Sequence, residues 1–275
     1  MAADRPAADA TSATEHAAGV DASHPAPLHI ETTPLDDVTA GVVASLTAAQ
    51  RAQLAAYRDL LLDWSQRFNL TAITDPDEIE RRLFLDALRM LPVIDDFLGE
   101  AAAARLVDIG AGAGFPGLVV AISRPPIDVT AIEATGKKVT FLQAVIDATG
   151  LSNVHAIHAR AEEIAQDTAH RARYDLATAR AVAALPSLME LAMPFLRVGG
   201  RAFFPKSAEL GGELAQGKRA AAIVGARIGG GALLAHMEGE RVTRLVIADK
   251  IADTPTRFPR RAGIPAREPL GRGSP

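Results

Sequence analysis

The residues best placed by type and spacing to do chemistry lie in VDIGAGAGFPG, residues 107–117. A carboxylate, Asp108, is followed at intervals of two by Gly110, Gly112 and Gly114, with Phe115 and Pro116 behind them. The last six residues, Gly112 to Gly117, satisfy G-x-G-x-x-G, the fingerprint of a turn that cradles a pyrophosphate against a helix N-terminus. Glycine permits positive φ and leaves no Cβ between backbone and ligand. A pyrophosphate could use that room, and so could the amino-acid portion of S-adenosylmethionine. Two residues favour the second. Asp108 would repel pyrophosphate but can help hold an ammonium, directly or through water, and Pro116 lacks the N–H that a phosphate would take. Glu133, at the end of the second predicted strand, suits ribose hydroxyls under either ligand.

The second group is at the end of the fourth predicted strand, YDLATARAV, where this architecture borders the transferred group. Methyltransferases acting on amines often carry an Asn/Asp-Pro-Pro-aromatic clamp there, and this chain has Thr178, Ala179 and Arg180 instead. A target with an in-plane lone pair, such as guanine N7, needs no general base. Arginine matches the O6/N7 edge of guanine. It can equally touch a cofactor carboxylate or form a plain salt bridge.

Composition narrows the class. The chain has 275 residues, 48% hydrophobic and 23% charged, with no cysteine. A disulfide framework, a thiolate metal site and cysteine nucleophile chemistry are thereby excluded, and a cytoplasmic location is the expectation. Three of the seven histidines fall in the first 40 residues, and His155 with His158 make no recognisable ligand set, so no metal is expected. Neither a secretory h-region nor an apolar run of about 18 residues occurs, so no signal peptide and no membrane span are expected.

The elements that must position these groups follow from periodicity and composition. Residues 1–40 carry seven carboxylates against Arg5, a net of −6 that leaves +2 for the remainder of a chain whose total is −4. This Ala/Pro-rich acidic stretch lacks apolar periodicity and reads as a disordered tail. Over 41–100, Leu54, Tyr57, Leu61 and Trp64 recur at helical spacing and a second helical pattern runs from Pro76 to Leu88, which predicts a helical cap. Over 101–250, strand-like runs (RLVDIG, DVTAIE, VHAIHA, YDLATAR, GRAFFP) alternate with helical ones, predicting an α/β doubly wound parallel sheet. RVTRLVIAD reads as a further strand at or near an edge. Residues 251–275 hold five arginines among prolines and glycines, a basic arm whose side chains can reach phosphates.

The segments RFNLTAITDPDEIERRLFLDAL, LVDIGAGAGFPG, EATGKKVTFLQ, NVHAIHARAEE, YDLATARAVAALPSLMELAMPFL and RFPRRAGIPAREPL occur in this order between about Leu46 and Leu270. In that order they resemble the bacterial 16S rRNA guanine-N7 methyltransferases, also called the glucose-inhibited division protein B family. The resemblance implies a Rossmann-like, seven-stranded S-adenosylmethionine-dependent methyltransferase fold. It implies transfer of the cofactor's methyl to N7 of guanine 527 of 16S rRNA, free or in the small ribosomal subunit, by a monomer. Carried over by motif, Gly110 and Phe115 belong to the cofactor turn, Ala161 and Glu162 to the adenine side, and Arg180 to the catalytic end of the fourth strand. Basic positions implied for RNA are Lys137, Arg160, Lys206 and Arg241 or Arg244, with Arg260 and Arg261 in the arm. Where many relatives read RHILDS this chain reads RLFLDA, so that Leu83 replaces a histidine. FFPKS replaces the usual ALKG and keeps Lys206. The residues 1–40 lie outside the resemblance.

Two other classes are weighed against this. A nicotinamide-dependent oxidoreductase would use the glycine fingerprint and Glu133, but Asp108 opposes it and no catalytic Tyr-Lys or His-Asp arrangement is evident. A non-catalytic RNA-binding module would be marked by a ruined glycine turn, and this turn is intact.

Overall fold

The structure, a computed structural model, describes residues 35–99, 103–207, 209–234 and 243–272. The acidic stretch up to residue 34 and Arg241 lie outside the described residues.

Two helices open the described chain, α1 (Leu35–Ser45) and α2 (Ala48–Ser65). The start of α2 is set by a capping box: Gln50 N–H donates to Thr47 Oγ1 at 3.2 Å and Thr47 N–H donates to Gln50 Oε1 at 2.9 Å. The helical run predicted from Pro76 to Leu88 is present but broken in type. It comprises α3 (Pro76–Ile79), a π-helical stretch (Glu80–Leu85) and α4 (Asp86–Leu88), and is followed by α5 (Leu91–Leu98). π-Helical turns gather at functional sites because they divert backbone carbonyls from the regular ladder.

Strand and helix then alternate: β1 (Ala104–Ile109), α6 (Gly117–Ser123), β2 (Ile127–Glu133), α7 (Gly136–Thr149), β3 (Val154–His158), α8 (Ala161–Ile164), β4 (Tyr174–Thr178), α9 (Leu185–Ala192), β5 (Leu196–Ser207) and α10 (Gly212–Ile223). After β6 (Ala226–Leu234) and β7 (Thr243–Lys250) comes a last turn, α11 (Ile264–Arg267). The sheet order is β3-β2-β1-β4-β5-β7-β6, with β1 to β5 parallel and β7 antiparallel to both of its neighbours. This is the expected seven-stranded, Rossmann-like α/β arrangement. The strand read from RVTRLVIAD is second from the edge, and the edge itself is β6, which sequence reasoning did not foresee. Its ARIGGGALL carries three glycines and one β-branched residue, so local propensity argues against a strand and only pairing with β7 makes one.

Alternation along the strands divides the core. Leu106, Val129, Leu176 and Phe203 face α6, α7 and the N-terminal helices, whereas Val107, Ile109, Ala177 and Phe204 face α9 and α10. Tyr57, Leu61, Phe84 and Leu88 are buried in the first of these cores. The predicted cap thus shares one core with the sheet. Gln50 Nε2 adds a polar tie by donating to the Ile122 carbonyl of α6 at 2.9 Å.

The C-terminal arm is a strap laid along the sheet's second side. Proline has no N–H, but its carbonyl still accepts. Gln166 Nε2 donates to Pro259 O at 2.9 Å, Ser187 Oγ to Pro265 O at 2.7 Å and Arg171 Nη1 to Phe258 O at 2.9 Å.

Candidate cofactor and base site

Strand order reverses between β1 and β4, and the crevice beyond their carboxyl ends is where an α/β sheet of this kind binds its ligand. Asp108 and Thr178 are register partners across that boundary, so the glycine turn after β1 and the Arg180 loop after β4 form the two sides of one crevice. Gly110, Gly112 and Gly114 all have positive φ, +63°, +59° and +93°. A Cβ on Gly112 would meet only the Gly110 carbonyl, at 3.7 Å, which leaves open space over the turn. A Cβ on Gly114 would lie 2.6 Å from the Tyr57 hydroxyl, so here glycine admits a side chain from α2.

Two carboxylates hold this turn. Glu133 Oε2 accepts the Gly112 N–H at 2.9 Å and Oε1 accepts the Thr135 N–H at 2.8 Å, which leaves further lone pairs at the end of β2. Asp108 is 0% exposed, and its Oδ2 accepts the Gly117 N–H at 2.9 Å at the start of α6. Its carboxylate is drawn beneath the turn by the Gly117 N–H, which has no intrahelical partner at the start of α6. Its Oδ1 is buried with no hydrogen-bond partner. Burial, opposed by the Gly117 hydrogen bond and reinforced by Glu133, pushes its pKa up to about 7.

Phe115 follows directly on the glycine turn. Its ring is buried, stacked on Tyr57 at 5.1 Å and edge-on to Phe84 at 4.9 Å, so it faces α2 and the π-helical stretch, and only its backbone borders the turn. Tyr57, which sequence reasoning placed only on an apolar helix face, donates its hydroxyl to the Ala113 carbonyl. Burial pushes that phenol well above its usual pKa, which keeps it a donor. Leu83 is buried in the same core.

Ala161 and Glu162 lie on the Glu133 side, because Glu133 and His158 are register partners and Ala161 begins the next helix. Glu162 Oε1 accepts the Gly263 N–H at 2.9 Å, which binds that side of the crevice to the strap. On the opposite side, Arg180 Nη2 donates to the Arg82 carbonyl and lies 3.4 Å from Asp86 Oδ2. Burial lowers the pKa of Arg180, while Asp86 acts in the opposite direction. Ala181 has φ +56°, uncommon for a residue with a Cβ, and a Cβ on Gly110 would come within 2.7 Å of Val182 Cγ2. Asp86, Ala181 and Val182 were not singled out from the sequence. The one signal for Asp86 was a carboxylate within the apolar run LFLDAL, where a buried charge requires a partner.

The basic residues singled out from the sequence are held on different elements. Lys137 Nζ lies 5.2 Å from the Phe68 ring, Arg160 is an exposed N-cap of α8 and Arg261 is exposed on the strap. Lys206 and Arg244 are register partners on β5 and β7, and Lys206 Nζ pairs with Glu213 at 2.7 Å. Arg260 is turned inward: Nη2 lies 2.6 Å from Oε2 of Glu190, a carboxylate that is 0% exposed, and Nε donates to Oε1 at 2.9 Å. Its assignment to RNA gives way to a structural one, because an ionised carboxylate at that depth needs a cation. Among the described residues, no helix is long and apolar enough to cross a membrane.

Residues 50–228 match the family model described as rRNA small subunit methyltransferase G. Proteins called ribosomal RNA small subunit methyltransferase G are similar over most of their length. The one from Chloroflexus aggregans is 45% identical over 225 residues, 82% of this chain and 92% of that protein. One from Streptococcus thermophilus is 42% identical over 227 residues, 82% of this chain and 93% of that protein. Half of the chain or more falls within the model and four-fifths within these relatives, with the glycine turn, Glu133, Glu162 and Arg180 inside the matched span: the chain belongs to the rRNA small subunit methyltransferase G family.

Proposed function

We propose that this protein is an S-adenosylmethionine-dependent rRNA methyltransferase whose target is N7 of guanine 527 of 16S rRNA. The observation that carries the reading is the meeting of the glycine turn, Glu133 and Arg180 at one strand-end crevice, in a chain of this family. The residues present fit the cofactor. Gly112 leaves a cradle that a side chain would narrow, Glu133 keeps lone pairs for ribose hydroxyls, and Asp108 Oδ1 is a buried acceptor without a donor beneath the turn that would take the methionine portion. Ala161 and Glu162 would border the adenine.

The cofactor supplies an electrophilic methyl group. The protein's share is positioning, which alone can remove a large part of a bimolecular barrier. N7 of guanine carries its lone pair while neutral, so no side chain need remove a proton, and Arg180 is assigned to the O6 edge or a phosphate. An arginine against N7 itself would oppose the positive charge gained by the product base. Lys137, Arg160 and Arg261, charged and exposed, would meet the RNA backbone, with Lys206 and Arg244 on neighbouring strands. The test is complementation: in cells lacking this methylation, expression of the wild type restores an N7-methylguanine at that position of 16S rRNA, read by borohydride and aniline cleavage. Restoration at a different base, or at none, overturns the reading.

A further inference from the structure

Asp86 is a buried carboxylate that nothing in the methyl-transfer reading uses. Its side chain is 9% exposed, and three donors from three parts of the chain converge on it. Arg89 Nη1 lies 3.3 Å from Oδ1, Thr243 Oγ1 donates to Oδ2 at 3.3 Å, and Arg180 Nη2 is 3.4 Å from the same oxygen. Asp86 thus ties the N-terminal helices to the first residue of β7 and to the loop after β4, 94 residues away.

Independent features act on the same arginine. The π-helical stretch places the Arg82 carbonyl where Arg180 donates to it. The next residue, Ala181, is held at φ +56°, a conformation that strains a residue with a Cβ and persists only when surrounding contacts impose it. Among the described residues, two guanidinium groups share this one carboxylate. Arg180 is the one nearer solvent, with a side chain 21% exposed against 6% for Arg89. Such a cluster offers an anion or a carbonyl edge a cation that is already oriented.

We propose that Asp86 is a positioning residue: it fixes the Arg180 guanidinium at the mouth of the crevice before RNA arrives, and so makes the N-terminal helices part of the catalytic apparatus. This rests on the reading of Arg180 as a base-handling or phosphate-handling residue. Asp86→Asn keeps the shape of the side chain and removes its charge. Ala181→Gly removes the backbone strain and loosens the same loop without opening a cavity, so it keeps the proposal testable if Asp86→Asn folds poorly.

Two measurements separate the possibilities. The first is the guanidinium signals of Arg180 by nitrogen NMR of the full chain, assigned by their loss in Arg180→Lys. They should be resolved in the wild type and averaged by rotation in both Asp86→Asn and Ala181→Gly; unchanged signals in Asp86→Asn, or in Ala181→Gly where Asp86→Asn does not fold, overturn the proposal whatever the substrate is. The second is a double-substitution cycle of methyl transfer to undermethylated small subunits. Asp86→Asn should lower kcat at least tenfold with cofactor Kd within twofold, and should add less than twofold to the defect of Arg180→Lys. Multiplicative losses would assign Asp86 to general stability instead. Absence of transfer by the wild type would contradict the functional reading and leave the NMR result to decide on the positioning.

Discussion

Asp108 ties the pH dependence of stability to a single buried residue. Its folded pKa of about 7 lies above that of an unfolded aspartate, so the unfolded chain ionises first and the folded state loses stability as pH rises from about 4 to about 7. The loss is on the order of 4 kcal/mol by linkage and is complete above that window. Asp108→Asn, whose amide oxygen can still accept from Gly117, should abolish this slope. Thermal unfolding would then show the variant close to wild type at pH 4 and several degrees more stable at pH 8; equal midpoints at pH 8 would mean that the carboxylate is not strained by burial. Gly112 marks the opposite case, where space serves a ligand. Gly112→Ala should cost about 1 kcal/mol because of its positive φ, yet reduce S-adenosylmethionine affinity at least tenfold by calorimetry. Retained affinity would move the cofactor off this turn. The glycines, Glu133 and Arg180 were legible in the sequence because their chemistry is local to a motif. Asp86 and Tyr57 were not, since each acquires its role from a partner more than 50 residues away.

At the scale of elements, the parallel strands were legible because buried strands read as short apolar runs between turn signals. The edge strand β6 and the strap were not, for a shared reason: glycine and proline give weak local preference, and the order comes from pairing across the chain. Glu190 and Arg260 show how firmly the strap is held. Arg260→Ala leaves a fully buried carboxylate without its cation, a change of about 3 to 5 kcal/mol in systems of this kind. Arg261→Ala, one position on and exposed, should leave the unfolding midpoint unchanged and weaken RNA binding. Denaturant unfolding of the two variants checks this directly: comparable midpoints would return Arg260 to the RNA-facing set.

For the whole molecule, a net charge of −4 conceals a chain that is +2 after residue 40, and Lys137, Arg160 and Arg261 are among the exposed cations of that part. RNA affinity should therefore fall as salt rises, and Arg160→Ala should reduce the slope of log K against log salt by about one phosphate contact, with no change in cofactor affinity. An unchanged slope would remove Arg160 from the interface. The central claim, that the strand-end crevice transfers a methyl group to one guanine, is tested most directly by giving the protein labelled S-adenosylmethionine and small ribosomal subunits that lack the modification, then mapping the label. The account predicts a single labelled N7-methylguanine in 16S rRNA, lost in Gly112→Ala and Arg180→Ala. Cofactor binding with no label on any form of 16S rRNA would contradict it.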